Sequence, residues 1–239
     1  MSTDPPAPPS SLPPNKLLAR LPPDDYQRLL PNLETIHLRP KRVLLRAHVP
    51  VRKIYFLAGG VCSITQVTAD GQMAGVALVG NEGCIGMPGF GDPESGQTAV
   101  LEIADGDAQA LDAKVFHREV DRDRVFKDVI HRYAQAFVEG LMESVACNAL
   151  HPVEKRYARR LLEVRDRIGR NEIPLTQEVL ATMLGVRRAS VTLAASALHR
   201  AKLIDHAHKS ITIRDPAGLE AAACECYATI KGNFARLLP

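Results

Sequence analysis

The stretch that decides the fold is Thr176 to Ile204, TQEVLATMLGVRRASVTLAASALHRAKLI. It predicts two short helices around a glycine turn. Thr176 is placed to N-cap the first helix, and Glu178 puts a negative charge in its first turn, where the helix dipole favours it. Leu180, Met183 and Leu184 fall at i, i+3, i+4 and give that helix one apolar face. Gly185 follows directly, which suits the left-handed position after a helix end. Val191, Ala194, Ala195 and Leu198 then repeat the helical spacing. At about 100° per residue, an inward Val191, Ala195 and Leu198 leave Ala189, Leu193, Ser196 and Arg200 facing out. Thr192 flanks that face, and Arg187 and Arg188 stand at its N-terminal end. This is the pattern of a helix-turn-helix, whose second helix enters the DNA major groove. An ordinary helical hairpin with two solvated arginines has the same spacing.

Charge distribution favours the first reading. Between Pro152 and Arg214 there are thirteen basic and six acidic residues, a net +7, in a chain whose whole balance is +3. The remainder is therefore −4, and the positive charge gathers where the helix-turn-helix lies, as phosphate binding requires. After Ile204 comes DHAHKSITIRD, in which Ile211 and Ile213 alternate with Ser210, Thr212 and Arg214. That alternation predicts a strand with one buried face, hence a short wing hairpin with Lys209 near its tip.

These residues, preceded by VEKRYARRLLEV and a long helix, resemble the Crp/Fnr superfamily of bacterial transcription regulators. The resemblance spans roughly residues 15 to 220. It implies an α+β fold: an N-terminal β-roll of the cyclic-nucleotide-binding type over 15–120, a dimerisation helix over 121–150, and a winged helix-turn-helix over 151–239. It also implies double-stranded DNA as partner, a homodimer, RNA polymerase as a further partner, and an inverted-repeat operator. The base-reading places fall on Arg188, Ala189 and Leu193. Thr176, Gln177, Arg187, Ser190, Thr192 and Lys209 complete the expected DNA-binding set. A ligand- or partner-binding module of the same β-roll type, without DNA reading, is the competing interpretation.

The β-roll is expected between Ile36 and Leu111. Ile54–Leu57, Val61–Val67, Met73–Val79 and Ala99–Ile103 read as short strands, with Gly59-Gly60 and Asp70-Gly71 as turns. From about Asp121 to Asn148 the spacing becomes helical. Phe126, Ile130, Tyr133, Phe137, Leu141 and Val145 form one stripe, read as the dimer seam or as packing on the β domain. Gly140 inside that helix suggests a close approach or a bend.

In cyclic-nucleotide-binding relatives, a glycine–glutamate pair and an arginine–serine pair hold the ligand. By resemblance, the first appears here as Gly86-Met87 and the second as Gln97-Thr98. With Gly83, these residues make up the expected effector pocket, its ligand unknown. Neither the ribose-binding carboxylate nor the phosphate-binding arginine is present, and Asp92 and Glu94 add negative charge nearby. Cyclic AMP control is therefore not expected.

Other chemistry is sparse. A P-loop, a GxSxG elbow and a zinc-binding HExxH helix are all missing, so an enzyme is not expected. The five cysteines include no CxxC pair, and Cys224 and Cys226, placed on one helix, would face different ways. Cys62 and Cys84 read first as small buried hydrophobes and second as redox-sensing thiols. His37, His48, His117 and His131 show no ligand spacing, so neither metal nor cofactor is expected. MSTDPPAPPSSLPP, residues 1–14, reads as a disordered proline-rich tail. No apolar run reaches the ~20 residues of a membrane span, and no signal-peptide pattern opens the chain, so the cytoplasm is the expected compartment.

Overall fold

Short apolar-alternating segments from Leu33 onward pair into two antiparallel four-stranded sheets. The structure, a computed structural model, describes residues 13–87, 96–207 and 209–238. The expected tail lies outside these residues except at 13 and 14, as do Asp92 and Glu94. One sheet has the order β1-β8-β3-β6, from Leu33–Leu38, Gly106–Asp112, Lys53–Leu57 and Cys84–Ile85. The other runs β2-β7-β4-β5, from Val43–Leu45, Thr98–Ile103, Val61–Val67 and Met73–Val79. Leu38, Leu57, Cys62, Val79, Ile85, Leu101 and Ala108 fill the space between them. The turns expected from glycine are present: Gly60 and Gly71 both take positive φ, +72° and +82°.

A helical layer covers the first sheet. Helices α1 (Pro23–Leu29) and α2 (Ala113–Arg122) pack there with the first half of α3 (Arg124–Leu150). Pro23 starts α1, since a first-turn position needs no N–H donor. Asp112 and Asp123 cap α2 and α3, each accepting two backbone N–H bonds. Asp123 thus separates the two helices, and α3 begins at Arg124 rather than at 121.

Helix α4 (Val153–Ile168) runs through the middle of the molecule, and every residue from Arg156 to Val164 is buried. Its neighbours are Val61, Leu78 and Ile103 of the second sheet, and the domain that follows. That domain comprises α5 (Gln177–Leu184), α6 (Arg188–Arg200), α7 (Pro216–Ala222) and a small sheet of order β10-β11-β9. The wing hairpin β10 (Ile204–His206) and β11 (Ile211–Ile213) pairs as the sequence predicts. β9 (Glu172–Ile173) adds a third strand that its two residues are too short to announce. α8 (Cys226–Leu237) returns along α3, where Phe234 meets Tyr133 and Arg236 pairs with Glu139 at 2.8 Å. A Cβ on Gly140 would meet Ile230 and Phe234 of α8 at 3.9 Å, ordinary contact, so this glycine is not forced by packing.

Candidate nucleic-acid interface

The two helices form as the sequence dictates. Thr176 caps α5 through a bond from Val179 N–H at 3.3 Å, and Gly185 ends it with φ +61°. Leu180, Met183, Leu184, Val191, Ala194, Ala195 and Leu198 are all buried, in one core with Tyr157, Leu161 and Leu162 of α4. That core fixes the rotation of α6 and so decides what faces outward. Arg187, Arg188, Ala189, Thr192, Leu193, Ser196 and Arg200 are exposed, and Leu193 stands 70% exposed.

Polar contacts order this face. Thr192 Oγ1 lies 3.1 Å from Gln177 Oε1 and 3.1 Å from the Arg188 carbonyl, and Ser196 Oγ donates to the Thr192 carbonyl at 2.9 Å. Both hydroxyls therefore spend their protons within the protein and present lone pairs outward. Arg187 is the N-cap residue of α6, and no side chain caps that end. The first N–H groups of the helix are thus available to an anion. Lys209 is exposed at the wing, next to position 208, which lies outside the described residues.

The basic balance is less available than composition suggests. Arg156 donates to the Leu184 carbonyl, and Arg159 and Arg160 both bond Glu163, at 2.7 and 2.8 Å. Arg167 bonds Glu82 at 2.8 Å and so ties α4 to the β domain. Burial works against ionising Glu163, but Arg160, Arg159 and Arg167 outweigh it and hold the carboxyl below its ordinary range. Four of the thirteen basic residues are consequently structural. The exposed ones are Lys155, Arg170, Arg187, Arg188, Arg200, Lys202, Lys209 and Arg214, the last paired with Asp205 at 2.6 Å.

The β4–β5 hairpin stands beside the N-terminal end of α6. Thr68, Gln72, Met73 and Ala74 face Gly185, Val186, Arg187, Arg188 and Ser190 across an open cleft of about 710 Å³. Below the cleft the chain segments touch: a Cβ on Gly75 would sit 2.7 Å from the Met183 Cα.

The expected dimer seam needs correction. Phe126, Ile130 and Tyr133 are 2%, 5% and 2% exposed, packed on the chain's own β domain with Ile54, Phe56 and Phe116. Phe137 and Leu141 are half-buried and turn toward Leu78, Ile230 and Phe234. Of the predicted stripe only Val145 is exposed, at 69%. The outward face of α3 instead carries Val138, Met142, Val145 and Ala149, at steps of four, three and four, with Met142 67% exposed. The larger aromatic stripe won the intrachain core because it buries more area. The 4-3-4 spacing of the smaller one was the available signal.

Among the described residues, the expected effector residues fall on different parts of the β domain. Gly83 is filled from outside by Tyr133, whose hydroxyl bonds the Cys84 carbonyl at 3.3 Å. Met87 packs into the helical layer. Gly86, at φ +90°, lines a hollow of about 470 Å³ with Arg52, Asp112, Lys114 and His117. Thr98 sits in the other sheet, accepting from Ala47 N–H at 3.3 Å, and Gln97 is exposed. Cys62 and Cys84 are 0% and 4% exposed, and burial pushes both thiols up, Cys84 to about 12. A thiol held protonated and covered is a poor redox sensor.

Sequence reasoning also missed a convergence at the other end of α3. α7 ends at Ala222, so Cys224 lies in a turn and Cys226 opens α8. The two cysteines are therefore not two apart on one helix. Both meet Cys147 and His151, contrary to the expectation that they diverge and that no metal-ligand set exists.

Residues 155–222 match the Crp-like helix-turn-helix domain. The fold is similar to that of FixK2 from Bradyrhizobium japonicum, with TM-score 0.69 and 15% identity over 80% of this chain and 98% of that one. It is similar to TTHB099, a CRP-family transcriptional regulator from Thermus thermophilus, with TM-score 0.67 and 19% identity over 79% and 96%. It is also similar to CLP of Xanthomonas campestris, described as a c-di-GMP-responsive global regulator, with TM-score 0.65 and 14% identity over 80% and 98%. No curated protein matches the sequence. Among the described residues, no helix is long and apolar enough to cross a membrane.

Proposed function

We propose that this chain, a DNA-binding transcription regulator of the Crp/Fnr type, reads an inverted-repeat operator as a homodimer and is not controlled by cyclic AMP. The observation that carries the reading is the outward face of α6, where an arginine, two acceptor hydroxyls and two bare apolar groups stand together on a rigid helix. Arg188 has the reach and fork to pair with guanine N7 and O6. Ala189 and Leu193 contact thymine methyls, and Thr192 and Ser196 accept from adenine or cytosine amino groups. Thr176, Gln177, Arg187, Ser190 and Lys209 supply phosphate contacts that set register without reading sequence. The half-site is then a guanine beside an A·T-rich element, repeated one helical turn away in the second subunit.

The second subunit docks on the outward stripe of α3, Val138, Met142 and Val145. Such a protein works on the chromosome in the cytoplasm, with RNA polymerase as the further partner. Cyclic AMP is disfavoured because Gln97 and Thr98 carry no charge where the phosphate needs one. An unpaired buried phosphate costs several kcal/mol, hence about a hundredfold or more in affinity. Calorimetry with cyclic AMP is expected to show no saturable micromolar binding.

Selection of bound duplexes from a random pool tests the main claim. Enrichment of an inverted repeat supports it. Arg188→Ala is expected to cost about 1–3 kcal/mol and relax selection at one base pair. A uniform loss across all sequences would make Arg188 a phosphate contact. No enrichment at all would remove the DNA-reading role.

A further inference from the structure

Four side chains with metal-binding atoms meet where α3 passes into α4. Cys147 lies in the last turn of α3 and His151 is its C-cap residue. Cys224 comes from the turn before α8, and Cys226 is the first residue of α8. One ligand atom from each lies within 4.8 Å of all the others. Cys147 Sγ is 3.5 Å from Cys224 Sγ, and Cys226 Sγ is 3.5 Å from His151 Nδ1. The three cysteines are 0%, 3% and 2% exposed, and the His151 side chain is 16% exposed.

We propose that Cys147, His151, Cys224 and Cys226 bind one zinc ion in a closed structural site that fastens the C-terminal helix to the α3–α4 junction. Zinc–sulfur bonds of about 2.3 Å and a zinc–nitrogen bond of about 2.0–2.1 Å place tetrahedral ligands roughly 3.5–3.8 Å apart. The Cys226–His151 separation matches the sulfur–nitrogen value, the Cys147–Cys224 separation is slightly shorter than the sulfur–sulfur value, and all four atoms lie within 4.8 Å, so metal entry requires the side chains to adjust around the ion. A tetrahedral set of three sulfurs and one imidazole selects zinc over the oxygen-seeking magnesium, calcium and manganese. Four protein ligands leave no open position, so the role is structural rather than catalytic.

Two features around the cluster point the same way. The outer nitrogen of His151, Nε2, is 3.2 Å from Glu225 Oε1. A carboxylate on the far side of an imidazole is the usual support of a zinc-bound histidine, because it fixes the ring and leaves Nδ1 free to ligate. The second feature is charge. Three thiolates and a zinc ion sum to −1, which must be neutralised in a buried place. Arg159 is fully buried and interacts electrostatically with Cys147 and Cys224, and its Nε and Nη2 have no hydrogen-bond partner. Its positive charge is placed to offset the excess negative charge of a site built on Cys147 and Cys224.

The site has a mechanical consequence. Cys224 and Cys226 lie just beyond residues 155–222, while Cys147 ends the helix that carries the exposed stripe. The ion joins that helix, the start of α4 and α8 into one body. The inference does not depend on DNA reading, and its test is blind to it.

The experiment measures metal in the full chain, purified under reducing conditions without a histidine tag or chelator. Mass spectrometry of the elements is expected to give about one zinc per chain, with a Cys224→Ser, Cys226→Ser variant retaining almost none. Removing two buried thiols can also impair folding, so two further readouts are needed. Cobalt(II) added to the metal-stripped wild type is expected to give the ligand-field bands of a tetrahedral site and thiolate charge-transfer absorption. His151→Cys is expected to keep the metal and shift that spectrum toward four thiolates. Binding is expected to weaken steeply as pH falls, since three thiols must lose protons. The proposal is overturned if the folded wild type takes up neither zinc nor cobalt. It is equally overturned if the double variant keeps full zinc, or if the chain purified under reducing conditions holds a Cys147–Cys224 disulfide in place of metal.

Discussion

If the proposed dimer forms through the outward stripe of α3, replacing Met142 and Val145 by aspartate is expected to give monomers that keep their fold. The two side chains are 67% and 69% exposed in the single chain, so about two-thirds of each remains to be buried by a partner. Full burial of such a side chain is worth about 1.5–3 kcal/mol, which leaves about 1–2 kcal/mol each. Two residues on each of two subunits contribute about 4–8 kcal/mol. At about 1.4 kcal/mol per tenfold, losing that term alone weakens association by roughly a thousandfold to a few hundred-thousandfold. Carboxylates facing each other across the seam add to it. Sedimentation velocity at micromolar concentration reads the mass, and circular dichroism reads the fold. Operator affinity is expected to fall as dimerisation is lost, because the second half-site loses the effective concentration that linkage gives it. An inner-face variant, Tyr133→Asp, is the control. It puts a charge against Gly83 in the core of the β domain and is expected to unfold that domain instead. A folded, undiminished dimer in Met142→Asp, Val145→Asp protein would refute the outward stripe as the seam.

Gly75→Val places a Cβ 2.7 Å from Met183 Cα and 3.0 Å from its carbonyl oxygen, where only backbone could give way. It is expected to part the β4–β5 hairpin from α5, seen as faster hydrogen exchange in residues 73–79 and 177–184, with protection elsewhere unchanged; unaltered exchange in both segments contradicts the contact. Glu163 has a folded-state pKa below its unfolded value, so its contribution is present above about pH 4.3 and is lost as pH falls through the folded value. Glu163→Gln is expected to flatten that acid limb in thermal melts and to cost about 3–5 kcal/mol at neutral pH, because Arg159 and Arg160 lose their buried partner; a melt with an unchanged acid limb contradicts it. Cys62 and Cys84 are expected to resist iodoacetamide at about pH 8, near the ordinary thiol pKa, until the protein unfolds, as peptide mass mapping will read. Rapid labelling of either in native protein would reopen the redox-sensor reading.

The helix-turn-helix was legible because its determinants are local. Thr176, Gly185 and the Leu180–Met183–Leu184 face each act within one turn of helix, so spacing alone sets the cap, the stop and the buried side. The strands at 53–57, 61–67 and 73–79 were legible for the same reason. β6 and β9 have two residues each and exist only through partners distant in sequence, so no period reveals them. Charge was legible as a sum but not as a surface. The sequence of α4 does not say that Arg156, Arg159, Arg160 and Arg167 turn inward, since a basic helix is normally a solvated one.

Two features of α3 that the sequence left open share one cause. A helix of 27 residues has room for more than one apolar stripe, and the strongest stripe is not the one left for a partner. Phe126, Ile130 and Tyr133 bury the most area, so they are taken first by contacts within the chain, where closing a loop costs less than bringing two molecules together. What remains exposed is the weaker set, Val138, Met142 and Val145, the stripe proposed for association, which reads from sequence as scattered surface hydrophobes. The cysteine cluster follows the same logic. Cys147 and Cys224 are 77 residues apart, and Cys224 and Cys226 are separated by a helix start rather than by a helical step. Only the return of α8 along α3 brings them together. A ligand set assembled by two remote segments leaves no spacing motif in the sequence.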